Sequence, residues 1–111
     1  MKKRLVRTAA MVLLSTPLLW SLGGQSAWAD GASIYQDKCA LCHGAGGDGK
    51  GPGGAALNPK PTDFTDPKYW QTASDQKIKN DTLNGVGVMP ASDLNTQDMQ
   101  ALLDYLKTFK K

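Results

Sequence analysis

The stretch Cys39-Ala40-Leu41-Cys42-His43 is the most informative part of this 111-residue sequence. It contains both cysteines and the only histidine of the chain. A disulfide between cysteines three positions apart would close a very small loop, and the stabilisation from a disulfide grows with loop length. We therefore expect the two thiols to serve a purpose other than cross-linking the chain.

The pattern Cys-x-x-Cys-His is the attachment signature of c-type haem. Two thiols at the end of a helix, three positions apart, point the same way and can add to the two vinyl groups of one porphyrin. His43 follows directly and can place an imidazole beneath the iron. The sequence therefore predicts that Cys39 and Cys42 bind one haem c covalently and that His43 is an axial ligand of its iron.

Residues 1–29 have the features of a secretory signal peptide, which we expect to be cleaved after Ala29. Positive charges at the extreme N-terminus precede an uncharged apolar stretch over 9–22, and Ala27-Trp28-Ala29 is a small-x-small cleavage signature. The alternative is a retained membrane anchor, but the apolar stretch is shorter than the ~20 residues that span a bilayer.

The remaining domain, residues 30–111, is small and slightly acidic. It contains nine lysines and ten aspartates but no arginine or glutamate, so its net charge is −1, whereas that of the whole chain is +3. This charge excludes a basic nucleic-acid-binding protein, and the length excludes a multidomain enzyme. A domain of this size often needs a metal or another prosthetic group to supplement its limited core.

The residue pattern predicts an all-α domain that reads as a helix, a Gly/Pro-rich loop, a short helix, a second loop and a long helix, with no strand. A first helix is expected over 31–42, with Asp30 as its cap. A short helix is expected from Ser74 or Asp75 to Leu83, before the Asn-Gly pair that is typical of a helix end.

The last helix has the strongest pattern of the domain. Asn95 or Thr96 caps it, and apolar residues then recur at helical spacing. These residues are Met99, Leu102, Leu103, Leu106 and Phe109. One further turn of helix is expected over 62–64, inside a region rich in proline.

Met89 is the predicted sixth ligand of the iron. It lies in the irregular loop Gly85-Val86-Gly87-Val88-Met89-Pro90, where glycines let the backbone come close to a bound ring. The alternative is that Met89 fills a gap in the core, but a methionine in that role more often lies on a helix face. Met99 does lie on the apolar face of the last helix, and we assign it to the core. His/Met ligation is the pattern of electron-carrying cytochromes c.

The domain resembles a small bacterial class I cytochrome c. The resemblance is carried by Cys39-Ala40-Leu41-Cys42-His43-Gly44, Gly49-Lys50-Gly51-Pro52, Pro59-Lys60-Pro61-Thr62-Asp63-Phe64 and Val88-Met89-Pro90, followed by a terminal helix with Tyr105. It implies the all-α cytochrome c fold, with three to five helices wrapped around one covalently bound haem. It also implies contact between the first and last helices, in which Gly31 or Ala32 and Tyr35 face Leu102, Tyr105 or Leu106.

Two further details follow from the resemblance. A backbone carbonyl near Pro52 is expected to accept a hydrogen bond from the second ring nitrogen of His43. The stretch over 90–96, between Met89 and the last helix, is longer than in the family pattern.

The expected function is that of a periplasmic monohaem c-type cytochrome, a one-electron carrier and not an enzyme. Cys39, Cys42, His43 and Met89 would bind the haem, and His43 and Met89 would ligate its iron. We expect a monomer without stable membrane insertion after signal removal. It would dock transiently with respiratory partners such as an oxidase, a cytochrome bc-type complex or a dehydrogenase.

Two other functions fit parts of the sequence. Cys39 and Cys42 could form the active site of a thiol–disulfide oxidoreductase, although the βαβ pattern of such enzymes is not visible. If Met89 does not ligate the iron, a five-coordinate or lysine-bound haem could sense a gas or act as a peroxidase.

Three side chains have open roles near the haem. The Trp70 indole could donate to a haem propionate or could simply pack in the core. Lys50 or Lys60 could pair with a propionate, line a docking face or be solvated.

Overall fold

The computed structural model describes residues 30–111, and the predicted signal peptide lies outside this range. Over the described residues the chain forms five α-helices, one short 3₁₀ helix and no strand, which confirms the predicted all-α class. The helices are α1 (Gly31–Lys38), α2 (Ala40–His43), α3 (Pro67–Thr72), α4 (Asp75–Asn84) and α5 (Thr96–Lys107), with the 3₁₀ helix at Pro52–Gly54. None of the helices in this range is long and apolar enough to cross a membrane.

The first helix is divided at Cys39, so the prediction of one continuous helix over 31–42 is wrong. The side chain of Asp30 accepts a 2.7 Å hydrogen bond from the backbone N–H of Ser33 and caps α1 as predicted. At Cys39 the backbone leaves helical geometry, with φ −123° and ψ −37°, and α2 starts one residue later. The turn that contains Cys42 and His43 is therefore a separate short helix.

Helix α1 packs against α5, which confirms the contact between the first and last helices. Gly31 approaches α5 so closely that an added Cβ would lie 2.7 Å from the Cβ of Tyr105 and 2.7 Å from the carbonyl carbon of Ala101. The ring of Tyr35 lies 5.4 Å from that of Tyr105, centroid to centroid. The crossing therefore depends on the absence of a side chain at position 31.

The apolar stripe of α5 faces the interior. The side chains of Met99, Leu102, Leu103 and Leu106 are all buried, and the Asn95 side chain caps the helix by accepting from the backbone N–H of Asp98. The other buried apolar residues of the core are Ile34, Tyr35, Phe64 and Ile78. Met99 is 2% exposed, which confirms its assignment to the core.

The middle of the chain differs most from expectation. The turn predicted over 62–64 is not helical, and α3, which the proline-rich composition concealed, begins at Pro67 with Asp66 as its cap. Helix α4 is close to its prediction, because the Ser74 side chain caps it and Gly85 ends it.

Candidate haem-binding site

The cysteine-containing turn is held by its own backbone hydrogen bonds. The N–H groups of Cys42 and His43 both donate to the carbonyl of Cys39, at 3.2 Å and 2.9 Å. Both cysteines are half-buried, and neither is in a disulfide. Two thiols held on one short turn and left unpaired are the arrangement that addition to two neighbouring vinyl groups requires.

The imidazole of His43 is buried, and one of its nitrogens has a partner. Its Nδ1 lies 3.0 Å from the carbonyl oxygen of Thr62. Because a carbonyl can only accept, Nδ1 carries the proton and Nε2 keeps its lone pair for a metal. The acceptor expected near Pro52 is therefore wrong, because the chain supplies this carbonyl from a residue ten positions later.

The glycine-rich loop after α2 folds back onto this turn and forms hydrogen bonds with its backbone. The N–H of Gly49 donates to the carbonyl of His43 at 2.7 Å, and that of Gly51 donates to the carbonyl of Cys42 at 3.1 Å. These bonds satisfy carbonyl groups that the end of a helix leaves without partners. The loop thereby fixes the backbone of the predicted haem-binding residues.

Met89 lies at the end of a tight turn that follows α4. Val86 and Met89 exchange two backbone hydrogen bonds, of 3.1 Å and 2.9 Å. The turn begins next to Gly85, which has a positive φ of 75° and where an added Cβ would lie 2.8 Å from the carbonyl oxygen of Met89. Glycine is needed here both for its backbone conformation and for the close approach.

All four predicted haem-binding residues line one cleft of about 250 Å³. Cys39, Cys42 and His43 reach the cleft from the turn after α1, and Met89 reaches it from the loop after α4. The rest of the lining is mainly apolar, and its only charged side chains are those of Lys38 and Lys60. Two thiols, an imidazole nitrogen and a thioether around an apolar cleft are a donor set that fits a covalently attached haem.

Comparison with known proteins identifies the family. A family model described as cytochrome c oxidase, cbb3-type, subunit III, matches residues 26–106, which is most of the chain. The chain belongs to this family of c-type cytochromes. Membership implies one covalently bound haem c with its iron, in agreement with the Cys-x-x-Cys-His motif.

Individual relatives support the same assignment. A cytochrome c-553-like protein of Synechocystis sp. (strain ATCC 27184 / PCC 6803 / Kazusa) is 33% identical over 82 residues, which cover 70% of this chain and 65% of the relative's length. The solved structure of the c-type cytochrome KustC0563 has a TM-score of 0.63 and 27% identity, covering 75% of this chain and all of that one. A chain of the Kuenenia stuttgartiensis reducing HAO-like protein complex Kustc0457/Kustc0458 has a TM-score of 0.60 and 28% identity, covering 72% of this chain and 41% of that one.

The Cys39 thiol of this c-type cytochrome is a poor candidate for thiol–disulfide exchange. Burial raises the pKa of Cys39 to about 11, and the nearby positive charge of Lys38 only partly opposes this shift. Redox-active cysteines have lowered pKa values, because the thiolate is the nucleophile. The described residues also lack the strands of a βαβ unit, so both observations oppose the oxidoreductase alternative.

The structure shows the surroundings of Trp70, Lys60 and Lys50, whose roles the sequence left open. The Trp70 indole N–H donates to the carbonyl of Phe64 at 2.7 Å, so in the structure its partner is the protein backbone. Lys60 lines the cleft and donates to the carbonyl of Ala55, whereas Lys50 is exposed and lies outside the cleft lining.

Sequence reasoning missed two residues of the c-type cytochrome site. Thr62 supplies the acceptor for His43, and the ring of Phe64 stacks on the imidazole, with centroids 4.7 Å apart and planes at 23°. Both belong to the Pro-Lys-Pro-Thr-Asp-Phe segment that helped to carry the resemblance. The segment was therefore visible, but nothing in it assigned a role to either residue.

Proposed function

We propose that this c-type cytochrome is an exported, periplasmic one-electron carrier in which His43 and Met89 ligate one haem iron. The observation that carries the proposal is the cleft that Cys39, Cys42, His43 and Met89 line together. A haem held by these residues would supply one-electron chemistry through its ferric and ferrous states. A thioether ligand favours the ferrous state relative to a second imidazole, as in other cytochromes c.

The chain's own residues would hold the group and restrict its chemistry. Cys39 and Cys42 would attach it covalently, which keeps it bound after export. His43 would orient its Nε2 toward the iron because Nδ1–H is engaged by Thr62. Met89 would supply the second protein ligand of the iron, which would leave no open site there for a substrate.

Partner contact is proposed at the mouth of the cleft. Val86 and Val88 are 53% and 54% exposed beside it, and Leu41, between the two cysteines, is 66% exposed. Apolar side chains around a redox centre suit brief contact of less than about 1,200 Å². We propose respiratory partners for this monomeric carrier: an oxidase, a cytochrome bc-type complex or a dehydrogenase.

Purified, authentically matured protein tests the proposal as a whole. Its mass should equal that of a chain starting at Asp30 plus one haem, and its reduced form should give a c-type absorption spectrum. A mass without haem would contradict the function, whereas a mass that includes residues 1–29 would contradict only the cleavage.

Two methionine substitutions test the sixth ligand. Met89→Leu should abolish the weak sulfur-to-iron band of the oxidised protein and lower the reduction potential. Met99→Leu is the matched control, because it makes the same chemical change in the core, and should leave both unchanged. If Met89→Leu leaves the band intact, Met89 is not the ligand. If the unsubstituted protein lacks the band, a five-coordinate or lysine-bound iron replaces this proposal.

A further inference from the structure

The ring of Phe64 covers one face of the His43 imidazole. The two rings are nearly parallel, at 23°, with centroids 4.7 Å apart, and both side chains are less than a tenth exposed. If the imidazole turned about its Cβ–Cγ bond, its edge would move into the phenyl ring. The same turn would break the 3.0 Å contact between Nδ1 and the carbonyl of Thr62.

The backbone N–H and the backbone carbonyl of Phe64 are both hydrogen-bonded. Its N–H donates to the carbonyl of Gly47 at 2.7 Å, and its carbonyl accepts the Trp70 indole N–H at 2.7 Å. Its ring also makes an edge contact with Tyr69, with centroids 5.4 Å apart. One short segment, 62–64, therefore supplies both the hydrogen-bond acceptor and the stacking ring for His43, and it is anchored to the glycine-rich loop and to α3.

We propose that Phe64 is a positioning residue for the axial ligand: its ring fixes the plane of the His43 imidazole and keeps Nδ1–H on the carbonyl of Thr62. The inference rests on the proposed function, because it assumes that His43 ligates the iron. The plane of an axial imidazole determines how its π orbitals meet those of the metal, and its hydrogen bond adjusts its basicity. Phe64 thereby affects the iron without touching it.

Phe64→Leu tests the proposal, with Phe109→Leu as the matched control. Phe109 belongs to the other aromatic cluster, with Tyr35 and Tyr105. The main measurement is the exchange rate of the His43 Nδ1 proton with solvent, by NMR of the reduced holoprotein. Phe64→Leu should accelerate exchange about two- to thirteenfold, the factor that corresponds to an aromatic pair worth about 0.5–1.5 kcal/mol. Phe109 packs against Gly47 rather than against His43, so Phe109→Leu should change the exchange rate less than Phe64→Leu does.

A second measurement reports the ring plane directly. In the oxidised holoprotein, the spread of the haem methyl shifts depends on the orientation of the axial imidazole. Phe64→Leu should change this spread. Phe64→Tyr keeps the stacked ring, so its methyl spread and its exchange rate should match those of the unsubstituted protein. Loss of core packing alone would not produce this pattern.

If Phe64→Leu does not fold, Trp70→Phe decides, because it removes the indole donor that holds the Phe64 carbonyl and keeps an aromatic ring beside Tyr69. It should also accelerate exchange relative to Phe109→Leu. The proposal is overturned if the folded Phe64 or Trp70 variant matches the control in exchange and methyl spread. That outcome leaves the proposed function intact, whereas absence of a His43 ligand in the unsubstituted protein would reject the proposed function itself.

Discussion

Gly31→Ala should destabilise the protein because it places a methyl group between α1 and α5. The new Cβ would lie 2.7 Å from the Cβ of Tyr105 and 2.7 Å from the carbonyl carbon of Ala101. The nearest atoms belong to the main chain and to a Cβ, so a change of side-chain rotamer cannot relieve the overlap. Helix α5 would have to move away from α1.

The change in the free energy of unfolding caused by Gly31→Ala is the difference between two opposing effects. Adding a methylene-sized group to a well-packed contact costs about 1–3 kcal/mol. Replacing glycine by alanine in a helix returns up to about 1 kcal/mol, and less at a first helical position such as Gly31. The free energy of unfolding should therefore fall by about 1–2 kcal/mol, which lowers the melting temperature of a domain of this size by roughly 4–16 °C.

Gly46→Ala is the matched control for this substitution. An added Cβ at Gly46 meets no atom within 4 Å, and the residue does not have a positive φ. Gly46→Ala should change the free energy of unfolding by less than about 0.5 kcal/mol. Denaturant titration of both holoproteins, followed by far-ultraviolet circular dichroism, gives the comparison. Equal stabilities of the two variants would refute the close approach of α1 and α5.

Three further substitutions have definite expected outcomes. Tyr35→Phe should cost about 1 kcal/mol at neutral pH, because it removes the buried 2.6 Å hydrogen bond to the carbonyl of Gly44. Burial raises the pKa of Tyr35, so the folded protein keeps the hydroxyl proton at a pH where the unfolded chain loses it. The free energy of unfolding should therefore fall as the pH rises above the ordinary tyrosine pKa of about 10. Denaturant titrations across this range should show a smaller fall for Tyr35→Phe. Gly85→Ala should weaken the sulfur-to-iron band, measured optically, because the new Cβ would displace the Met89 turn. Asn95→Ala should lower the free energy of unfolding by about 1 kcal/mol in denaturant titration, because it removes the side-chain cap of α5.

The last helix and the ligand motif were predictable because each is marked locally in the sequence. The apolar residues of α5 recur at helical spacing, and every buried residue of that helix lies on the predicted stripe. Periodicity also separated the two methionines of the domain, since Met99 lies on the stripe and Met89 does not. Local signals of this kind need no knowledge of the rest of the fold.

The acceptor for His43 was not predictable, because every residue has a carbonyl and the sequence does not mark one that accepts. Thr62 lies 19 residues after His43, across loops without periodicity. The start of α3 is a different case: Asp66 before Pro67 is a recognised helix-start pattern, and it was hidden only by the density of nearby prolines. The break at Cys39 has no local signal at all.

The loop that carries Met89 is attached to α4 at both of its ends. The loop leaves α4 at Gly85, and the N–H of Ser92 then donates to the carbonyl of Thr82 at 2.8 Å, so both ends of the loop are attached to the same helix. Thr82 is buried, which protects that bond from water. The residues between Ser92 and α5 can therefore vary in length without moving Met89, because α4 rather than α5 determines its position. Helix α4 therefore places Met89 in the same cleft as His43.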